Sequence, residues 1–121
     1  DRLIPFIISK SLTNKTFPCS SGVQLRNFLF VEDFVKAIFK TLTKKNVNGE
    51  IINIGSNNNL KVKKVILMIK NYLNYGKPMF GKIKLRKEES IKYYTNIKKA
   101  KKLINWKPLI QFEKRLIQTI K

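Results

Sequence analysis

Residues Gly22 to Ala37 read GVQLRNFLFVEDFVKA, and the fold follows from how this stretch is divided. Leu25, Asn27, Leu29 and Val31 alternate with Arg26, Phe28 and Phe30. A period of two with aromatic and β-branched residues predicts a strand. The period then changes. Phe34, Ile38 and Leu42 stand four apart, with Val35 and Phe39 beside them and Lys36, Lys40, Lys44 and Lys45 in the remaining positions. That spacing predicts an amphipathic helix over 33–45. Glu32 or Asp33 occupies the acidic first turn or cap, and lysines fill the last turn, where the helix dipole favours cations. Arg26 is therefore a single guanidinium on a short strand just ahead of a helix.

Working outward toward the C-terminus, Asn46-Val47-Asn48-Gly49 is a turn, and Glu50–Ile54 is an apolar run without alternation. Such a run predicts a strand buried on both faces, as in a parallel sheet between helices. The polar loop Ser56-Asn57-Asn58-Asn59 follows Gly55 but has neither the Gly-x-x-x-x-Gly-Lys spacing of a phosphate loop nor the further glycines of a dinucleotide fingerprint. Val62, Val65, Ile66, Ile69 and Leu73 predict a helix over 62–74, closed by Asn74-Tyr75-Gly76 with Pro78 beyond. Lys61 falls at its N-cap, where Lys is a poor cap at the positive end of the dipole. Either the cap has drifted, or a phosphate there takes both the helix N–H groups and the Lys charge. Lys82–Arg86 alternates again and predicts an edge strand whose lysines discourage further pairing.

Toward the N-terminus, Arg2-Leu3-Ile4-Pro5 opens a helix with the stripe Leu3, Ile7, Ile8 and Leu12, ending near Thr13-Asn14. Thr16-Phe17-Pro18-Cys19 is a short extended piece before the turn formers Ser20, Ser21 and Gly22. At the other end, Trp106-Lys107-Pro108 stops one helix, and Phe112, Leu116 and Ile120 define a last one.

Composition bounds the function. The 121 residues make one domain or part of one, and the first residue is Asp rather than Met, which leads us to expect a fragment. Lys and Arg number 26 against 7 Asp and Glu, a formal charge of +19. Such a charge suits a polyanionic partner. Only Arg2, Arg26, Arg86 and Arg115 are arginines, however, and the lysines are scattered, whereas specific readers of nucleic acid use arginine and clustered patches. We expect no specific nucleic acid partner, with a basic nucleic-acid-binding module kept as the alternative. One Cys and no His exclude a disulfide framework, a Cys-based metal site and the commonest general base. Cys19 has no neighbour in sequence that would lower its pKa, so it is not read as a nucleophile. No apolar run approaches the ~20 residues of a membrane span. A cytoplasmic location is the default expectation.

The pattern Gly22-x-Gln24-x-Arg26-Asn27-Phe28-Leu29-Phe30-Val31-x-Asp33 resembles the C-terminal, substrate-binding part of the NAD-dependent epimerase/dehydratase family, the extended short-chain dehydrogenases/reductases. Three later motifs fit the same family in the right order: Asn53-Ile54-Gly55, Arg86 followed by Glu88 and Glu89, and Tyr94 through Pro108. Asn96 stands for an Asp helix cap and Asn105 for a Gly at the C-cap, both allowed exchanges. Asn27 stands where the family usually has Asp.

The resemblance implies an α/β fold, a substrate-binding lobe with short strands and about five helices, spanning 1–121, with the Rossmann half missing. It implies that Arg26 and Arg86 clamp the diphosphate of a nucleotide-diphosphate sugar, with the glutamates holding the Arg86 end in place when the site is empty. Arg2 is either a further ligand of the nucleotide sugar or a solvated side chain. Phe17 is either the flat contact to the base or a core aromatic, and Lys61 is the remaining candidate substrate-binding residue. No metal ligand, no cofactor-binding residue and no catalytic residue is assigned in this chain: the family's Gly-x-x-Gly-x-x-Gly loop and its Tyr-x-x-x-Lys pair belong to the cofactor half. NAD or NADP is expected in the full-length parent, with none bound by this fragment alone. A homodimeric parent, and no membrane partner, complete the expectation. A non-catalytic remnant of a broken gene is the other alternative, and the sugar, the base and the choice among epimerase, dehydratase and reductase stay open.

Overall fold

The computed structural model describes residues 2–56, 58–109 and 111–121. In chain order the elements are α1 (Leu3–Leu12), β1 (Thr16–Pro18), β2 (Leu25–Asn27), α2 (Val31–Leu42), β3 (Asn59–Lys61), α3 (Val62–Leu73), β4 (Lys77–Met79), α4 (Lys98–Ile104) and α5 (Phe112–Ile120), with a 3-10 turn at Lys45–Val47. This is the expected α/β arrangement, with five helices and short strands among the described residues. β1 pairs with β4 in parallel, and β2 pairs with β3 antiparallel, so the described residues form two small ribbons rather than one sheet.

The core lies in two parts. Ile7 of α1, Phe17 of β1, Val62, Val65, Ile66 and Ile69 of α3 and Leu116 of α5 form the first. Ala37 of α2, Ala100 and Ile104 of α4, Ile97 and Trp106 form the second. The segment between β2 and α2 runs between them, since Phe28 packs on the first cluster and Leu29 on the second. The period-3.6 stripe read in 62–74 is the buried face of α3, where each fully buried Ile contributes about 1.5–3 kcal/mol of transfer free energy.

Helix ends follow their local signals. Asn74 and Asn105 are left-handed C-caps at φ 57° and 47°. The Asn96 side-chain oxygen accepts from the Lys98 N–H at 3.0 Å at the start of α4. α3 has no side-chain cap, and its first two N–H groups donate instead to the Gln24 and Gly22 carbonyls at 3.0 and 2.9 Å. That backbone capping is why Lys61 is tolerated at the N-cap.

Three expectations are corrected. The strand read over 25–31 is only Leu25–Asn27, because its partner β3 is three residues long and the ladder ends there. No strand forms over 82–86. After the Phe80–Gly81 turn, the Ile83 N–H donates to the Cys19 carbonyl at 3.1 Å, and β4 rather than 82–86 pairs with β1. Pro78 in β4 disguised it as a mere helix stop. Glu50–Ile54 forms no strand and joins no ladder among the described residues. Ile52 and Ile54 pack on the second cluster, while Ile51 is 82% exposed. A run apolar on both sides needs cover on both sides, and this chain covers one. The same holds for α2: Phe34, Val35, Ile38, Phe39 and Leu42 are exposed, and the buried residues are Asp33 and Ala37. The polar loop read at 56–59 includes Asn57, which lies outside the described residues.

Candidate functional site

Arg26 sits in the middle of β2, directly opposite Leu60 of β3. Its Nη1 donates to its neighbour's carbonyl, Leu25 O, at 2.7 Å and to Ser90 O at 2.9 Å. Its Nη2 pairs with Glu89 Oε1. The Leu25 N–H also donates to the Ile91 carbonyl at 2.8 Å. The segment 89–91 is therefore laid along β2 by three contacts to the strand, two of them from one guanidinium. Arg supplies several N–H donors in a fixed plane, so it can bind a loop and still keep donors for a ligand.

That docking explains how two arginines about sixty residues apart come together. Arg26, Arg86, Lys87, Glu88, Glu89 and Ser90 line one open cleft of about 780 Å³. Arg86 is exposed, and no side-chain hydrogen bond or ion pair of Arg86 is found among the described residues. The expected partnership of the glutamates is shifted: Glu89 pairs with Arg26, not with Arg86. Two guanidinium groups and a Lys on one cleft, beside Glu88 and Glu89, can offer charge-assisted hydrogen bonds to a doubly charged diphosphate.

Asn27, next to Arg26 in β2, ties the strand to Ser56 and Asn59. Its Nδ2 donates to Ser56 O at 2.9 Å and to Asn59 Oδ1 at 2.8 Å, and its Oδ1 accepts from the Ser56 N–H at 2.6 Å. An Asp here keeps only the last of these, because an ionised carboxylate accepts and cannot donate. The Asn that departs from the family's pattern thus matches its two acceptor neighbours. Gly55 completes the fit: a Cβ there would lie 2.7 Å from Asn27 Oδ1 and 2.6 Å from a Thr95 methyl.

The other sequence candidates are not in this cleft. Lys61 is opposite Leu25, one register position from the Arg26–Leu60 pair, and so points to the other face of the ribbon. The α3 N–H groups that a phosphate would need are already donated to carbonyls. Phe17 is 1% exposed and packs edge-on against Phe6, ring centroids 6.0 Å apart. Of the two readings of Phe17, the core aromatic describes its ring, since it cannot stack on a base without leaving the core. Arg2 is exposed at the N-cap of α1 and does not line the cleft of Arg26 and Arg86.

Sequence reasoning missed Glu89 and Ser90 as contacts of Arg26, since nothing in the local pattern pairs a strand with a distant irregular loop. It also missed a spacing: Tyr94 and Lys98 do stand four apart. Tyr94 is 68% exposed in an irregular segment, while Lys98 begins α4. The two are not on successive turns of one helix, so the spacing does not create a Tyr–Lys pair on one helical face. Cys19 is buried, and burial raises its pKa above the ordinary thiol range. Among the described residues no group of His, Cys, Asp and Glu could hold a metal ion.

Gly22, Gly55 and Gly76 do not form a dinucleotide loop. The space beside Gly22 is filled by the Lys63 backbone, that beside Gly55 by Thr95 and Asn27, and that beside Gly76 by Ser11. These glycines admit packing neighbours rather than a pyrophosphate. Among the described residues no helix is long and apolar enough to cross a membrane.

The fold and cleft define a small mixed α/β lobe with two arginines on one open cleft beside β2. The chain belongs to the NAD-dependent epimerase/dehydratase family: the family model described as GDP-mannose 4,6 dehydratase matches residues 1–119. It is 35% identical over 133 residues to dTDP-glucose 4,6-dehydratase of Haemophilus influenzae, a match covering 100% of this chain and 39% of that protein. Among solved structures, dTDP-glucose 4,6-dehydratase of Bacillus anthracis in complex with NAD superposes with TM-score 0.86 at 30% identity, over 98% of this chain and 38% of that one. The UDP-glucuronic acid 4-epimerase of Bacillus cereus, in complex with UDP-glucuronic acid and NAD, shares the fold at TM-score 0.89 and 24% identity, over 99% and 38%. The chain thus spans well under half the length of the curated relatives it matches.

Proposed function

We propose that residues 1–121 are the substrate-binding lobe of a nucleotide-sugar dehydratase or epimerase, and that the lobe recognises the diphosphate of a nucleotide-diphosphate sugar through Arg26 and Arg86. The observation that carries this reading is their presence on one cleft. Each residue would supply charge-assisted bonds to a phosphate oxygen, with Lys87 adding charge. Binding energy at the diphosphate, remote from the reacting carbon, orients the sugar for chemistry performed elsewhere in the parent. In that parent NAD or NADP would supply the hydride acceptor, held by residues this chain does not contain. The uncovered apolar side of α2 and the 82% exposed Ile51 are where a dinucleotide-binding domain would pack. A cytoplasmic, homodimeric parent is part of the same proposal.

The test is a calorimetric titration of the chain with UDP-glucose, dTDP-glucose and GDP-mannose, set against uridine, thymidine, guanosine and free glucose. Binding is expected only where the diphosphate is present, and it is expected to weaken with rising salt. Equal binding of the phosphate-free nucleosides would overturn the diphosphate assignment.

A further inference from the structure

Arg26 is not a free cation waiting for a ligand. Both Nη1 donors are taken by Leu25 O and Ser90 O, and Nη2 is paired with the Glu89 carboxylate. Glu89 lines the same cleft, and the paired side chains are 24% and 31% exposed, so the pair is neither dry nor fully screened. Arg86, across the cleft, carries no such counter-ion among the described residues. A dianion entering this cleft therefore meets one guanidinium without an ion-pair partner among the described residues and one already paired with Glu89, with Lys87 and Glu88 also on the lining.

We infer that Glu89 is a built-in competitor for the diphosphate: it holds Arg26 in the empty lobe and competes with the entering anion for Nη2. This rests on the clamp reading given above and adds to it the order of the two arginines. Arg86 makes the first contact, and Arg26 joins by exchanging one anion for another. The Nη1 bonds to Leu25 and Ser90 need not break, so the loop 89–91 stays docked while Nη2 changes partner. The exchange tunes affinity downward and favours ligands with two phosphoryl groups, which can reach both arginines, over a single phosphate.

The experiment measures UDP-glucose, inorganic pyrophosphate and inorganic phosphate binding to the 121-residue chain, for wild type, Glu89→Gln, Glu89→Ala, Arg26→Lys and Arg86→Lys, with circular dichroism to confirm the fold of each. Both Glu89 variants are expected to bind UDP-glucose and pyrophosphate about fivefold more tightly, the scale of a partly exposed ion pair, and to gain little for phosphate. Glu89 variants that bind no better, or worse, while the arginine variants lose affinity would overturn the competitor and leave the clamp standing. Arginine variants that bind like wild type, or no binding by any folded variant, would overturn the clamp and this inference with it.

Discussion

Arg26 and Arg86 should separate cleanly when each is replaced by Lys, because the structure gives them different duties. Arg26→Lys keeps the charge but loses the fork. Of the contacts to Leu25 O, Ser90 O and Glu89, one ammonium can retain about one in comparable geometry. Losing two partly exposed, charge-assisted hydrogen bonds should cost roughly 1–2 kcal/mol of stability. For a domain of this length that is a fall in Tm of roughly 4–8 °C. Arg86→Lys breaks no bond found in the lobe, so stability should stay within about 0.5 kcal/mol of wild type. Both changes should weaken nucleotide-sugar binding by roughly 1.5–3 kcal/mol, since each removes a guanidinium contact with a charged group. The double variant should lose less than the sum, because both groups act on one ligand. Differential scanning calorimetry gives the first quantity and isothermal titration with UDP-glucose the second. An Arg86→Lys variant that melts early while Arg26→Lys does not would refute the assignment of roles. Additive binding losses would refute the shared ligand.

Three further outcomes follow from packing. Trp106→Phe removes the indole N–H bond to the Asp33 carbonyl at 2.9 Å, and should cost about 1–2 kcal/mol in chemical denaturation. Gly22→Ala should cost more than about 2 kcal/mol, because φ is +68° and the new Cβ would lie 2.7 Å from the Lys63 backbone nitrogen; Gly49→Ala, at φ +74° with open space around it, should cost only about 1 kcal/mol. Cys19 should resist iodoacetamide until the chain unfolds, as burial raises its pKa. Since the folded thiol holds its proton more tightly, the unfolded state binds fewer protons once pH passes the ordinary thiol value of about 8.5, and stability should fall as pH rises through that range. A Cys19→Ala variant should lose this alkaline slope, which a series of thermal melts against pH would show.

The sequence by itself determined what local physics determines. The apolar spacing of Val62, Val65, Ile66 and Ile69 placed α3, and Asn74, Asn96 and Asn105 marked helix ends through their own backbone and side-chain chemistry. The order of the Arg26, Asn53-Ile54-Gly55, Arg86 and Trp106 motifs was enough to indicate the family. Strands were less legible, because a strand exists only with a partner. Lys82–Arg86 alternates yet has none, while Lys77–Met79 contains a Pro and pairs with β1. The amphipathic pattern of α2 was correct as a pattern, but its apolar side lies uncovered, since period says which residues share a face and not what that face meets. The site was half legible. Arg26 and Arg86 could be named from their motifs, but only the tertiary structure, by laying 89–91 along β2, put them on one cleft and gave Arg26 its counter-ion in Glu89. It also withdrew Phe17 into the core and turned Lys61 to the far side of its ribbon. Contacts between residues far apart in the chain depend on how whole elements dock, and no local pattern carries that information.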